Sequence, residues 1–239
     1  MQCVILAGGR ATRMRPLTDT IPKALIPVAG RPFLDHQLDW LAGHGVTDVV
    51  LCIGYRGDAI RAHFDAGAGA HHGLRVRFVD EGERLRGTAG ALRLALDEGA
   101  LEESFLLTYG DSFLPVDFGA VFAAFAAAGK AALMTVFRND GRWDTSNVIF
   151  DGRMVTLYDK QRRTRPPEEF RFIDYGLSAL SRRVIADEVP AEGSADLAGL
   201  FNALSLRGDL AGFEVGERFY EIGSPAGLED FERWLAQRA

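Results

Sequence analysis

The chain has 239 residues, 47% of them hydrophobic and 25% charged, which is enough for one large domain or two small ones with a buried core. A formal net charge of -6 argues against a nucleic-acid-binding surface, and no apolar run approaches the length of a membrane span or follows the pattern of a signal peptide. Cys3 and Cys52 both sit in apolar runs and read as buried thiols of a cytoplasmic protein, a disulfide between them being the lesser alternative.

Short apolar runs alternate with helical-period segments through the first half, which predicts an α/β fold with a Rossmann-like, mixed and mostly parallel sheet flanked by helices. Residues 2–6 read as a buried first strand. Phe33, Leu34, Leu38 and Leu41 predict a helix over 33–42, stopped by Gly43 and Gly45. A strand over 46–53, a helix over 58–64, a strand over 74–79 and a helix over 88–96 follow. A fourth strand over 105–109 leads straight into Gly110 and Asp111. Beyond Asp117, an Ala-rich helix over 119–128 precedes a strand over 131–137. Strands over 148–150 and 154–157, joined by Asp151, Gly152 and Arg153, read as a hairpin. The polar stretch 160–167 reads either as an ordered lid or as a mobile solvated loop. A helix over 225–237 carries Leu228, Phe231, Trp234 and Leu235 on one face. No internal repeat or linker divides the chain, so one domain over 1–239 is expected.

The loop after the first strand packs Gly8, Gly9, Arg10, Arg13, Arg15 and Lys23 into a short, proline-punctuated segment. Glycines that let backbone N–H groups approach closely, beside fixed cations, are what a polyphosphate needs. The spacings GxxxxGK[ST] and GxGxxG are both absent, which excludes a P-loop NTPase and a standard dinucleotide-binding oxidoreductase. Among the five histidines, His71 and His72 are adjacent, and no pair has the helical i, i+4 spacing of a zinc site. Ligands of an open parallel sheet gather outside the carboxyl ends of its strands. The Gly8 loop and the Gly110–Asp111 pair both arrive at that edge. A carboxylate placed there beside a triphosphate suits Mg²⁺, which prefers oxygen ligands shared between protein and phosphate.

Residues 6–32, LAGGRATRMRPLTDTIPKALIPVAGRP, resemble the signature GGxGTRLxPLTxxxPKxLxPVxxxP of the sugar-1-phosphate nucleotidyltransferases, also called nucleoside-diphosphate-sugar pyrophosphorylases. Gly8, Gly9, Thr12, Arg13, Pro16, Leu17, Thr18, Pro22, Lys23, Leu25, Pro27, Val28 and Pro32 match it, while Ala11 replaces its third glycine. Residues 31–34, 38–41 and 49–55 look most like the heptose 1-phosphate guanylyltransferases.

The resemblance implies the nucleotide-diphospho-sugar transferase fold, with a nucleotide-binding half over 1–115 and a sugar-phosphate-binding half over 116–239. It implies a reaction in which a sugar 1-phosphate attacks the α-phosphorus of an NTP. It places Leu6, Ala7, Gly8, Gly9, Gly87, Thr88 and Gly110 around the nucleotide, the LRGTAGAL segment with its inserted Arg86 reading the base. Arg13, Lys23 and Asp111 are the implied catalytic residues, Arg13 on the β and γ phosphates and Lys23 on the α-phosphate. Mg²⁺ is implied on Asp111 and Glu221, the latter standing where the pattern DxGTPxxL has aspartate. Asn147, Lys160, Asp174, Tyr175 and Gly176 are the implied sugar-phosphate contacts, Asp159 and Lys160 resembling the family's EK pair and residues 172–180 its sugar-contacting strand. GTP is the first nucleotide expected, with UTP close behind. No nucleic-acid or membrane partner is expected, and a homodimer is the family-level assembly. The chain ends soon after its last helix, so no appended β-helix is expected. A non-catalytic, ligand-sensing domain on the same fold is the competing reading, favoured by Ala11 and Glu221 and opposed by Arg13, Lys23, Asp111 and Lys160.

Overall fold

In the computed structural model, which describes residues 1–10, 14, 16–67 and 73–238, the apolar runs pair into one large sheet with helices on both faces. The first half contains β1 (Gln2–Leu6), β2 (Pro27–Val28), β3 (Arg31–Pro32), α1 (Phe33–Gly43), β4 (Asp48–Ile53), α2 (Gly57–Asp65), β5 (Arg75–Asp80), α3 (Gly87–Asp97) and β6 (Ser104–Tyr109). The second contains β7 (Ser112–Phe113), α4 (Phe118–Ala128), β8 (Ala132–Arg138), β9 (Val148–Phe150), β10 (Val155–Tyr158), β11 (Phe172–Ser181), α5 (Arg182–Glu188), α6 (Leu197–Leu206), β12 (Leu210–Val215), β13 (Tyr220–Glu221) and α7 (Pro225–Ala236).

Strands β5, β4, β1 and β6 run parallel, as β-α-β crossovers require. The sheet continues through β11, antiparallel to β6, and reaches β8 and β9 on the far side, with β12 parallel to β8. The expected mixed sheet flanked by helices is therefore present. Side chains of each strand alternate between two layers. Val4, Val50 and Leu107 pack with α3, α5 and α6, whereas Cys3, Ile5 and Val49 pack with α1, α2 and α4. A third cluster, Phe33, Phe113, Ile222, Phe231 and Trp234, docks α7 over β7 and β13.

The predicted elements form with bounds shifted by one to two residues at their ends. The hairpin is β9 with β10, its turn held by Asp151 Oδ1, which accepts from the Arg153 and Met154 N–H groups at 2.9 and 2.7 Å. The sequence reading did not anticipate α5, α6 or β12. Cys3 stands opposite Val49 and Cys52 opposite Leu6, three rungs apart, so both are free and buried and no disulfide forms. Burial alone pushes the Cys3 thiol far up, and Cys52 likewise, with Glu81 and Glu98 adding to the effect. Among the described residues no helix is long and apolar enough to cross a membrane.

One buried polar knot fixes the start of the sheet. Gln2, fully buried, donates to Asp48 Oδ2 at 2.9 Å and Ala100 O at 3.0 Å, and accepts from the Glu102 N–H at 2.8 Å. Burial raises the Asp48 carboxyl, but hydrogen bonds from Arg77, Gln2 and Arg75 outweigh it and hold the group below its ordinary value. Gln2→Leu takes a partner from the buried Asp48 Oδ2 and Ala100 O and from the Glu102 N–H, and is expected to lower the unfolding free energy by about 2 to 4 kcal/mol in urea titration.

Candidate active site

Parallel β1 and β6 end side by side, Leu6 opposite Tyr109, and the Gly110 N–H donates to Leu6 O at 2.9 Å. The junction is too tight for side chains. A Cβ on Gly110 would lie 3.0 Å from Ala7 Cβ, and one on Gly8 would lie 2.7 Å from Glu81 Oε1. At Gly9 the same position meets no atom of the described residues within 4 Å. The result is a cleft of about 380 Å³ whose lining includes Leu6, Ala7, Gly8, Gly9, Lys23, Gly87, Thr88, Gly110 and Asp111. Nine of the predicted nucleotide-side residues thus share one cavity. Arg13, with Ala11, Thr12 and Arg15, lies outside the described residues, as do His71 and His72.

Lys23 Nζ donates to Asp111 Oδ2 at 2.5 Å, the two side chains being 13% and 32% exposed. Ser112 Oγ holds the other oxygen, Oδ1, at 3.2 Å. The turn carrying Asp111 is clamped from α1 by Gln37, whose Nε2 donates to the carbonyls of Tyr109 at 2.9 Å and Ser112 at 2.8 Å. In the β7–β13 ladder Glu221 stands opposite Ser112, and the Ile222 N–H donates to Asp111 O at 3.0 Å. Glu221 itself is exposed, while Gly223 reaches the cleft lining.

The far end of the cleft is the start of α3. Gly87 takes φ +76°, and a Cβ there would lie 2.6 Å from Ala195 O, so this turn requires glycine. That carbonyl accepts from the Ala89 and Gly90 N–H groups at 2.9 and 3.1 Å, and Thr88 Oγ1 donates to Asp196 Oδ1 at 3.2 Å. The inserted Arg86 is absorbed in a tight turn in which its N–H donates to Glu81 Oε2 at 2.6 Å. Glu81 and Asp196 both line the cleft and were missed by sequence reasoning. Glu81 follows the carboxyl end of β5 by one residue, the same positional signal that marked Asp111. Asp196 precedes a helix the sequence pattern did not reveal.

In the second half, a register shift in β11 between Asp174 and Ser178, with Gly176 at φ +100°, separates two neighbouring side chains. Asp174 is half-buried and accepts the Gly176 N–H at 3.0 Å, and its own N–H donates to Asn147 Oδ1 at 3.0 Å. Burial pushes the Asp174 carboxyl up to about 6, with the Gly176 N–H and the Lys160 charge pulling the other way. Tyr175 is fully buried and packs edge-on against Phe219 at 5.9 Å in the layer of α1, α2 and α4. The structure brings Asn147, Lys160, Asp174 and Gly176 together and leaves the Tyr175 ring out.

The segment after β10 is an ordered turn. Asp159, buried, accepts from the N–H groups of Gln161, Arg163 and Thr164 and from Thr164 Oγ1 at 2.7 to 3.1 Å. Burial raises this carboxyl, but those hydrogen bonds, Thr164 foremost, hold it below its ordinary value. Lys160 projects exposed from this turn. Tyr109 joins the two halves: burial keeps its hydroxyl neutral, reinforced by the negative charges of Asp174, Asp111 and Asp196 around it.

A hard divalent cation suits this donor set. Among the described residues no group of three or more His, Cys, Asp or Glu side chains converges, so no complete protein cage exists. Asp111, in the turn before β7, and Glu221, in β13 opposite Ser112, are the carboxylates available, and a two-carboxylate set completed by phosphate and water is the arrangement Mg²⁺ favours.

The family model described as nucleotidyl transferase matches residues 2–146. The chain is 30% identical over 228 residues to a mannose-1-phosphate guanyltransferase of Candida albicans, covering 94% of this chain and 62% of that one. It is 28% identical over 233 residues to a glucose-1-phosphate cytidylyltransferase of Salmonella typhimurium, covering 90% and 88%. The fold matches the crystal structure of HddC from Yersinia pseudotuberculosis complexed with GMP-PN, with a TM-score of 0.77 at 22% identity over 98% and 99% of the two chains.

The raised Asp174 carboxyl has a consequence for stability. Its folded value near 6 exceeds the ordinary 3.8, so the fold favours the neutral acid; that contribution is complete below pH 3.8 and is lost as pH rises through 6. Asp174→Asn is therefore expected to gain stability over the wild type between pH 4 and pH 7, by about 1 to 3 kcal/mol at the upper end. Urea unfolding of both proteins at each pH checks this.

Proposed function

From a chain that belongs to the nucleotidyl transferase family, we propose that this protein joins a nucleoside triphosphate to a sugar 1-phosphate, giving a nucleoside-diphosphate sugar and pyrophosphate. GTP with a heptose or hexose 1-phosphate is the first substrate pair. The guanyltransferase likeness supports it, although the chain spans only 62% of the length of that relative. The observation that carries the reading is the Lys23–Asp111 pair set beside the Gly9 backbone in one cleft.

The acceptor in such a reaction is already an anion, so its oxygen needs neither a strong base nor a covalent nucleophile. What it needs is in-line placement and fixed positive charge, because two polyanions repel. Lys23 would turn from Asp111 to the α-phosphate, where charge builds as the bond to the leaving group lengthens. Arg13 would hold the β and γ phosphates that depart as pyrophosphate. Asp111 and Glu221 would hold Mg²⁺, which supplies charge neutralisation to the phosphates when bound. Lys160, carried on the Asp159-ordered turn, would grip the acceptor phosphate, and Asp174 with Asn147 would face the sugar hydroxyls. The buried Tyr175 would act only as packing beneath them.

Lys23→Ala is expected to lower turnover by roughly a hundredfold or more with the fold retained, as loss of one preorganised cation removes about 2.7 to 4 kcal/mol of transition-state stabilisation. Pyrophosphate release from five NTPs against a panel of sugar 1-phosphates, beside circular dichroism of the variant, tests it; near-normal turnover would refute the role. Chelation by EDTA is expected to abolish release and excess Mg²⁺ to restore it, read in the same assay.

A further inference from the structure

Among the described residues Trp143 is the one exposed Phe, Tyr or Trp side chain, at 50%. One face of its ring is nevertheless covered, because the Arg218 guanidinium lies over it at 3.8 Å from the centroid. The same guanidinium lies over the Tyr220 ring at 4.6 Å and pairs with Asp230 of α7, whose other oxygen accepts from Arg233 Nη2 at 3.0 Å. Arginine suits this place, since its planar, weakly hydrated cation stacks on rings and still keeps N–H groups for a carboxylate.

The two ends of this stack belong to different parts of the proposed site. Trp143 sits in the loop over 139–147, which leaves β8 at the sheet edge where β6 ends, since β8 and β6 both run antiparallel to β11. The loop is wound round the fully buried Asn139. That side chain accepts the Trp143 N–H at 3.0 Å and donates to Asp144 O at 2.6 Å and Ser146 Oγ at 3.0 Å. A loop tied to one satisfied, buried amide shifts as a body, and Asn147 is its last residue. Its root is fixed, the Asn139 and Asp140 N–H groups donating to Arg171 O at 3.0 and 3.1 Å. Its outer part is not packed solidly, for a cavity of about 670 Å³ lies between residues 140–146 and the segment 162–171. Arg218, at the other end of the stack, leads directly into β13, where Tyr220 stands opposite Phe113 and Glu221 opposite Ser112.

Resting on the nucleotidyl-transfer reading, we infer that Trp143 and Arg218 are positioning residues of the acceptor half: their stack holds the loop that carries Asn147 against the strand that carries Glu221, and so sets where the sugar 1-phosphate lies relative to the triphosphate. Neither side chain lines the nucleotide cleft, and neither has to touch a substrate to act. In-line transfer depends on acceptor placement, and a small misplacement caused away from the chemistry is costly. Without the stack the loop keeps its Asn139 core and its root at Arg171, while its outer part is free to tilt toward the cavity. What is lost is preorganisation of acceptor binding rather than the fold.

The test reads acceptor and nucleotide separately, in pyrophosphate release with the pair of substrates that the wild type turns over best. Trp143→Ala and Arg218→Ala are each expected to raise KM for the sugar 1-phosphate by about tenfold, and the double variant to raise it no further, with KM for the NTP within about twofold of wild type. Trp143→Phe keeps a ring for the guanidinium and is expected to bring the acceptor KM to within about threefold of wild type. Arg218→Lys, a point cation without a planar face, is expected to leave it raised. In a second readout, the sugar 1-phosphate panel titrated onto the wild type is expected to change the emission of Trp143, assigned by difference from Trp143→Phe, and the change is expected to fall by about half or more in Arg218→Ala. An acceptor KM within about twofold of wild type in Trp143→Ala, additive losses in the double variant, or an equal rise in both KM values would overturn the assignment. Should Arg218→Ala fail to fold, the contrast between Trp143→Ala and Trp143→Phe decides alone. If no pair of substrates yields pyrophosphate, the transfer reading falls and the emission titration judges the stack: a response to sugar 1-phosphate upholds its place beside that ligand, and none overturns it.

Discussion

Leu6 and Tyr109 stand opposite each other in parallel β1 and β6, so the chain leaves both strands at one edge of the sheet and in one direction. The Gly8–Gly9 backbone and Asp111 owe their common place to that register. A slip of one residue would turn Asp111 to the other face of the sheet, because strand side chains alternate. Gln37 guards against that slip by bonding two carbonyls on either side of Gly110 and Asp111 from a neighbouring helix. Gly8, Gly54 and Gly110 let the three strand exits approach more closely than any side chain would permit, with Gly54 lying 3.3 Å from Gly8 O at its own Cβ position.

The pairing of Lys23 with Asp111 resolves a problem common to sites for polyanions. An unpaired lysine and an unpaired aspartate, each partly desolvated, would cost stability in the free protein. Paired, they wait at low cost. At an effective dielectric near 20, unit charges 4 Å apart attract by about 4 kcal/mol, whichever anion the lysine faces. Exchanging a carboxylate for a phosphate oxygen is therefore close to neutral for Lys23, provided a cation replaces it at Asp111. Nucleotide and divalent cation would then bind as a unit, each removing the partner that the other's ligand relinquishes.

The first half of the fold was legible because β1, β4 and β6 are buried on both faces with glycines soon after their ends, and its helices keep an apolar stripe. Gly110 and Asp111 could be placed at the ligand edge from that alternation alone. The α5–β12 region resisted because α6 reads LAGLFNALSL, apolar almost all round, and α5 is a short turn continuing directly from β11. Missing α6 hid Asp196, since its position in the cleft follows from how the α6 entrance docks on α3. Tyr175 shows the converse limit. Adjacency to Asp174 suggested a shared role, but neighbouring strand residues point to opposite layers, and only the bulge at Gly176 says which of the two faces the site. Likewise, composition left the stretch after β10 open between lid and loop; the decisive fact is that Asp159 turns back to four donors in its own turn.

These placements give the cleft an electrical direction that net charge conceals. Lys23 is paired with Asp111, while Glu81 and Asp196 line the same cleft beside the start of α3. A nucleoside triphosphate has the matching asymmetry, with all its negative charge on one side of the ribose and a neutral base on the other. Reversed, the molecule would bring phosphates against two carboxylates and a base against a cation it cannot neutralise. Repulsion by Glu81 and Asp196 would thus add to the orientation that attraction by Lys23 favours. In the proposed reaction that orientation would set the α-phosphorus beside Lys23 and toward the second half of the chain, where Lys160 and Asp174 feel each other's charge. An overall acidic chain is thus compatible with a polyanionic ligand, because what that ligand meets is the local charge at Lys23 and not the net charge of the chain.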